Sequence, residues 1–302
     1  MRFRRAGMSL LIGVMLVVSA FVARPLMTTA QVEPWNCETS AAPITNPTVE
    51  AAESGSPMAV EVVPFPADVG TVTVFAAASL TDAFTEVERT LEGANPGLDI
   101  VNNFAGSQAL VTQLTEGAPA DVAAFAENAA MTNAIEADVI AGEPQTFAEN
   151  VLTVVIPTDN PAGITSVADL AKPGIKLVLA QQEVPVGGYS RESLCTMGAD
   201  TATYGDDFVA DVASNVVSEE ANVRAVLSKV ALGEADAGIV YTSDVTDDVI
   251  AIEIPETVNE LATYPIAPVA SGNQEAAAAY ISFILSSDGQ AILEASGFIP
   301  VA

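Results

Sequence analysis

The stretch Val72 to Leu91, VTVFAAASLTDAFTEVERTL, decides the fold class. Val72 to Ala76 mixes β-branched, aromatic and small residues and reads as a short buried strand. From Ser79 the period changes, with Leu80, Ala83, Phe84, Val87 and Leu91 recurring at helical spacing. Ser79 suits an N-cap, Asp82 completes a capping-box pattern, and Gly93 and Pro96 end the helix. A strand that passes into a helix within three residues is the opening of a β-α-β unit. Such units stack as a parallel-rich sheet with helices on its faces.

The same alternation runs outward from that stretch. Leu98 to Phe104 reads as a strand, and Ser107 caps a helix that carries Leu110, Val111 and Leu114 and stops at Gly117. Val122–Phe125, Val151–Ile156, Lys176–Ala180, Ala237–Tyr241 and Tyr264–Val269 read as further strands. Helices are expected at 166–171, at Asn222 to Leu232 and over Gln274 to Ser296. No internal repeat of fixed period is present. The expected class is α/β.

Composition narrows the chemistry. The 302 residues hold 39 Asp and Glu against 10 Lys and Arg, a net charge of −29, with no His and two Cys. Without His there is no Ser-His-Asp or Cys-His catalysis and no histidine-rich metal site. Two cysteines cannot build a Cys₄ zinc site or an iron–sulfur cluster, so no cation site is expected. So acidic a chain is repelled by nucleic acid and anionic lipid.

Residues 1–30 have the layout of a secretory signal peptide: Arg2, Arg4 and Arg5, an apolar run from Met8 to Val22, and the small-residue site Met27-Thr28-Thr29-Ala30. A retained N-terminal anchor is the competing reading, though the apolar run is short for a span. Cys37 follows Pro34-Trp35-Asn36 rather than a lipobox. Residues 31–70, with six prolines and no lasting period, read as a linker, either a tether to the envelope or a plain extension. Export makes a disulfide permissible, and Cys37 and Cys195 are its candidates.

Three helix starts follow strands directly, at Ala76 to Leu80, at Phe104 to Gln108 and at Val184 to Tyr189. In α/β sheets ligands sit beyond the carboxyl ends of strands. Helix starts there offer free backbone N–H groups and the positive end of the dipole. Together they can hold an anion without any net positive charge. Gly106, Gly187 and Gly188 let backbone approach a ligand closely. A plain capping role remains open for each serine.

These strings also carry a resemblance. Thr73 to Leu80 (TVFAAASL), Phe104 to Leu110 (FAGSQAL), Pro119 to Val122 (PADV), Val184 to Tyr189 (VPVGGY), Asn222-Val223-Arg224 and Gly233 to Tyr241 (GEADAGIVY) occur in the order found in the molybdate-binding proteins of ABC importers. The chain resembles that family over roughly 71–302. The resemblance implies a two-lobed periplasmic-binding-protein fold of type II, each lobe a mixed, mostly parallel sheet flanked by helices, with the ligand in the cleft. The lobes it implies are 71–150 with 269–302, and 151–268. It places the family's serine ligands on Ser79 and Ser107, its tyrosine on Tyr241 and its backbone donors on Val186 and Val223. The family's usual Ala is Val186 here, which keeps the N–H but adds methyl groups to the pocket. It implies a monomer outside the cytoplasm that binds molybdate or tungstate, without a cofactor or catalysis, and delivers it to an ABC permease.

The chemistry agrees with the resemblance. Molybdate and tungstate at neutral pH are dianions with no proton to give, so hydroxyl and N–H donors suit them. Sulfate, phosphate and small organic anions are the alternatives within the binding class. A second class, an exported hydrolase with paired carboxylates, needs two acids apposed in a cleft. Its aromatic sugar platform is missing, since Trp35 is the only Trp and falls in the linker. Arg224 is read as an ion-pairing residue, on the helix surface or between lobes, and Asp236 and Asp244 as caps or orienting groups.

Overall fold

The computed structural model describes Trp35, Cys37 and residues 62–301. The expected signal peptide and most of the expected linker lie outside the described residues.

Strand β1 (Thr71–Ala77) pairs in parallel with β2 (Asp99–Ala105) and β3 (Val122–Ala124). Helix α1 (Thr81–Ala94) joins β1 to β2, and α2 (Ser107–Thr115) joins β2 to β3. Helix α3 (Asn128–Glu136) follows. Strand β4 (Gln145–Pro157) is twice as long as expected, because it serves two sheets. Its first half, to Val151, pairs with a late strand of the first sheet, and Leu152 onward pairs in the second sheet.

The second sheet is built from β5 (Leu177–Ala180), β6 (Val216–Glu220) and β7 (Ala237–Tyr241), with β8 (Val249–Glu253) alongside β4. Between β5 and β6 run α4 (Pro185–Ala199), α5 (Thr201–Tyr204) and α6 (Phe208–Ser214), and α7 (Val223–Ala231) connects β6 to β7. Strand β9 (Leu261–Pro268) returns to the first sheet, where it pairs antiparallel with both β3 and β4. The chain ends with α8 (Gln274–Ile284), α9 (Ser287–Ala295) and β10 (Ile299–Pro300), which pairs with β4.

Two lobes therefore share two crossing segments, β4 near residue 151 and the chain between β8 and β9. Asn259 clamps them together: its Oδ1 accepts the Leu152 N–H at 3.1 Å and its Nδ2 donates to the Leu152 carbonyl at 2.9 Å. The sequence reading put 151–268 in the second lobe, but pairing of Leu261–Pro268 with β3 places that strand in the first sheet.

Five local expectations are corrected. Ser79 is not an N-cap: it lies inside a single 3-10 turn, Ala78–Leu80, and makes no capping bond. Asp82 forms no capping box and reaches across to Arg224 instead. Ser107 is the first residue of α2, with Gly106 at the N-cap position. The helix expected over Gln274 to Ser296 is two helices bent by 63°, broken where Ser286 caps the second by accepting the Gly289 N–H. The segment at 166–171 is a short 3-10 helix, Val167–Ala171, capped by Ser166 and Asp169.

The core fills both sheets' inner faces. Phe84, Phe147, Tyr264 and Tyr280 pack edge-to-face or tilted, with ring centres 5.9–6.2 Å apart, and join α1 and α8 to the sheet. Cys37 and Cys195 form a disulfide, with Cα atoms 5.4 Å apart, that ties the N-terminal extension to α4. Trp35 adds to this attachment by stacking on the Arg191 guanidinium, 5.6 Å from the ring centre.

Candidate functional site

Every parallel strand that borders the cleft ends in a residue of one small cavity. β1 leads to Ala77, Ala78 and Ser79, β2 to Ala105, Gly106 and Ser107, and β3 to Ala126. From the second lobe, β5 leads to Val184 and Val186, β6 to Asn222 and Val223, and β7 ends at Tyr241. The five residues singled out in the sequence, Ser79, Ser107, Val186, Val223 and Tyr241, thus meet at one place, two from the first lobe and three from the second. The cavity is about 10 Å³, on the scale of one small guest.

Among the described residues no charged side chain lines this cavity. Its donors are polar but neutral. Val186 is the second residue of α4, and Val223 the first of α7. Both N–H groups belong to the first turn, which has no carbonyl four residues back inside the helix to bond. Asn222 caps α7 by accepting the Ala225 N–H at 3.0 Å, which leaves the Val223 N–H to the cavity side. The four nearest helical starts, at Ala78, Ser107, Pro185 and Val223, add their positive dipole ends.

The hydroxyls are oriented by their neighbours. Ser107 Oγ accepts the Ala126 N–H at 3.0 Å, so its own proton is free to donate. Ser79 Oγ lies 3.0 Å from the Tyr264 hydroxyl, which in turn contacts Asn150. Asn150 also donates to Ser243 Oγ at 2.8 Å and accepts from Thr242 Oγ1 at 2.8 Å, so a buried polar network backs the site. Tyr241 is different. Its ring is buried against Tyr264, with centres 5.9 Å apart, and its hydroxyl has no hydrogen-bond partner among the described residues. A buried hydroxyl left so costs about 1–3 kcal/mol. Burial also holds its proton on, pushing the phenol well above its ordinary pKa, so it can only donate to an anion.

Two glycines make the close approach feasible. A Cβ on Gly187 would fall 1.9 Å from the Gln181 carbonyl oxygen, so only glycine fits the first turn of α4. A Cβ on Gly106 would fall 2.7 Å from the Ala221 carbonyl oxygen, which belongs to the other lobe. Gln108 Nε2 donates to that same carbonyl at 3.3 Å. The lobes are therefore closed on each other at Gly106.

Sequence reasoning did not single out Tyr264, Asn150 or Ala126 as site residues. Tyr264 stood in an expected strand, but its contact with Ser79 spans 185 positions, and no local pattern signals it. Asp236 accepts the Lys176 N–H at 2.8 Å and Asp244 the Tyr241 N–H at 3.3 Å, the capping roles expected. A larger hollow of about 420 Å³ beside the disulfide is lined by Trp35, Val209, Ala210 and one acid, Asp206, and gathers no set of donors.

The bacterial extracellular solute-binding protein family matches residues 72–299. The chain is 39% identical over 231 residues to the molybdate-binding protein ModA of Mycobacterium tuberculosis, covering 75% of this chain and 84% of that one. Among solved structures, the substrate-binding domain of a putative molybdenum ABC transporter from Clostridium difficile superposes with a TM-score of 0.58 at 27% identity, over 77% of this chain and 99% of that one. The sulfate-binding protein SubI of M. tuberculosis superposes with a TM-score of 0.69 at 19% identity, over 77% and 87%, which is a likeness of fold.

Proposed function

Because the chain belongs to the bacterial extracellular solute-binding proteins and so works outside the cytoplasm, we propose that it captures molybdate between its lobes and delivers it to an ABC permease. The observation that carries this reading is the convergence of Ser79, Ser107, Val186, Val223 and Tyr241 on one uncharged, donor-rich cavity. Ser79 and Ser107 hold the anion from the first lobe, and the Val186 and Val223 N–H groups and the Tyr241 hydroxyl from the second.

The donor set explains selectivity. A fully ionised tetrahedral dianion needs only donors and meets no lone pair pointing at it. Monoprotonated phosphate brings a proton that wants an acceptor, and no carboxylate lines the cavity. Tungstate shares molybdate's charge and shape and binds too. Sulfate has the same charge and is the smaller ion, so discrimination against it rests on how the protein's donors are spaced and not on their chemistry. The net charge of −29 is screened within about 8 Å at physiological salt, whereas helix termini act at contact. The protein acts as a monomeric carrier without a cofactor and not as an enzyme.

Thermal unfolding of the purified protein with and without molybdate, tungstate, sulfate and phosphate tests the reading. Ligand at 100-fold above Kd adds about 2.7 kcal/mol, or roughly 5–10 °C for a domain of this size. The midpoint rises with molybdate and tungstate and stays put with phosphate. A rise with sulfate alone would reassign the ligand, and no rise with any of the four would overturn the reading.

A further inference from the structure

Among the described residues one cation forms ion pairs across the cleft, and it does not line the cavity. Arg224 follows Val223 on α7 in the second lobe. Its Nη2 donates to Asp82 Oδ2 at 2.8 Å, and its Nε to the Ala78 carbonyl at 3.3 Å, both across the cleft in the first lobe. The same Nε lies 3.1 Å from Asp244 Oδ1, which belongs to its own lobe. Ala78 precedes Ser79, and Asp244 accepts the backbone N–H of Tyr241. One guanidinium therefore touches the neighbours of two proposed anion ligands, Ser79 and Tyr241, and follows a third, Val223, in the chain. Asp82 and Asp244 face its charge and the Ala78 carbonyl takes its Nε, so the guanidinium is turned to these partners and not to the cavity.

The burial of its partners separates their tasks. The Asp244 side chain is fully buried, while that of Asp82 is 60% exposed. Arg224 and Asp244 move together with the second lobe, whatever the cleft does. Asp244 thus anchors the guanidinium in a fixed orientation, and a buried carboxylate needs that cation beside it. Asp82 and the Ala78 carbonyl meet the guanidinium only when the lobes are shut. Few other residues can do this: of the six basic residues beyond the leader, Arg224 is the one whose described ion pairs cross the cleft.

We propose that Arg224, held by Asp244, is the latch of the closed form, fastening the lobes through Asp82 and the Ala78 carbonyl and thereby setting how long the anion stays. This rests on the reading of the cleft as an anion site. Affinity in a closing protein scales with the fraction that is closed, so a latch acts on the ligand without touching it. Its contribution goes mainly into the off-rate, since the latch must part before the anion leaves.

The test compares the unaltered protein with Asp82→Asn, Arg224→Gln and the double variant. Three quantities are read: the molybdate off-rate, the ligand-free unfolding midpoint, and the interlobe distance from spin labels at the exposed positions Glu116 and Glu234. An exposed pair is worth up to about 1 kcal/mol, so Asp82→Asn speeds release about two- to fivefold with the ligand-free midpoint unchanged. Arg224→Gln speeds it more than tenfold, and Asp82→Asn then adds nothing. In each variant the ligand-free distance distribution shifts toward the longer, open form. Unchanged off-rate and distances in Asp82→Asn, with molybdate bound by the unaltered protein, would overturn the latch and leave the anion reading intact. If the unaltered protein binds no molybdate, that reading fails, and the distances alone decide the latch. A midpoint that falls in step with affinity in both single variants would make Arg224 a purely structural residue and also overturn the proposal.

Discussion

Replacing Tyr241 with Phe separates ligand binding from folding, because the two respond in different directions. The Tyr241 hydroxyl is buried and unpartnered, and the ring's contact with Tyr264 survives the change. Deleting the oxygen removes a group that costs the closed form about 1–3 kcal/mol when left unbonded. In a ligand-free cleft that opens to water the hydroxyl is solvated and the cost vanishes. The ligand-free protein is therefore unchanged or stabilised, by up to about 1 kcal/mol averaged over both forms. That is roughly 2–4 °C in midpoint for a domain of this size. Toward the dianion the same hydroxyl makes a charge-assisted hydrogen bond worth about 1.5–3 kcal/mol. Loss of that bond weakens affinity by roughly 10- to 150-fold. Calorimetric melting without ligand and titration with molybdate read the two numbers. A ligand-free midpoint that falls by several degrees, or an affinity that stays within threefold, would refute the reasoning, since either means the hydroxyl already has a structural partner or never meets the ion.

Three further outcomes follow from particular atoms. Gly106→Ala keeps the extended N-cap backbone (φ −62°, ψ 140°) that any residue adopts, yet puts a Cβ against the Ala221 carbonyl of the other lobe. Ligand-free stability holds and molybdate affinity falls at least tenfold, as read by titration; wild-type affinity would show that the lobes do not close at that point. Cys37→Ser opens a bridge that spans 158 positions, which chain-entropy arguments value at no more than about 5 kcal/mol. Urea unfolding shows the loss, and a midpoint indifferent to the substitution would mean the extension is not held. Glu127 is pushed up to about 7, first by burial and then by the nearby Glu192 charge. The folded state then binds the extra proton between the ordinary carboxylate range and pH 7, so stability falls as pH rises through that window. Glu127→Gln flattens this slope between pH 5 and 7.5, and an unaltered slope would remove Glu127 from the account.

The strand-to-helix unit at 72–91 was legible because local pattern and tertiary role agree there: a nearly continuous buried run in β1, then a helical apolar stripe in α1. The site was legible for a related reason. Residues at the carboxyl ends of parallel strands converge by topology, which located the site, while the individual positions Ser79, Ser107, Val186, Val223 and Tyr241 came from the resemblance. Their hydroxyl chemistry was not. Ser79 and Ser107 both look like helix caps, and each instead spends its oxygen on a distant partner, Tyr264 or Ala126. Such contacts have no period and no motif. The length of β4 was hidden too, since both of its faces are buried from Leu152 onward whereas its first half is partly exposed, so no single alternation runs along it. Helix α4 was legible at its start, Val184 to Tyr189, with Pro185 at the first position, but Gly187 and Gly188 weaken propensity there and its length was not read.

The most direct measurement is a calorimetric titration of the purified protein with molybdate, repeated with saturating phosphate already present. The account predicts one ion per chain, a Kd that phosphate leaves unchanged, and competition from tungstate at the same site. Absence of binding heat at any concentration, or displacement of molybdate by phosphate as readily as by tungstate, would contradict a neutral site made only of donors.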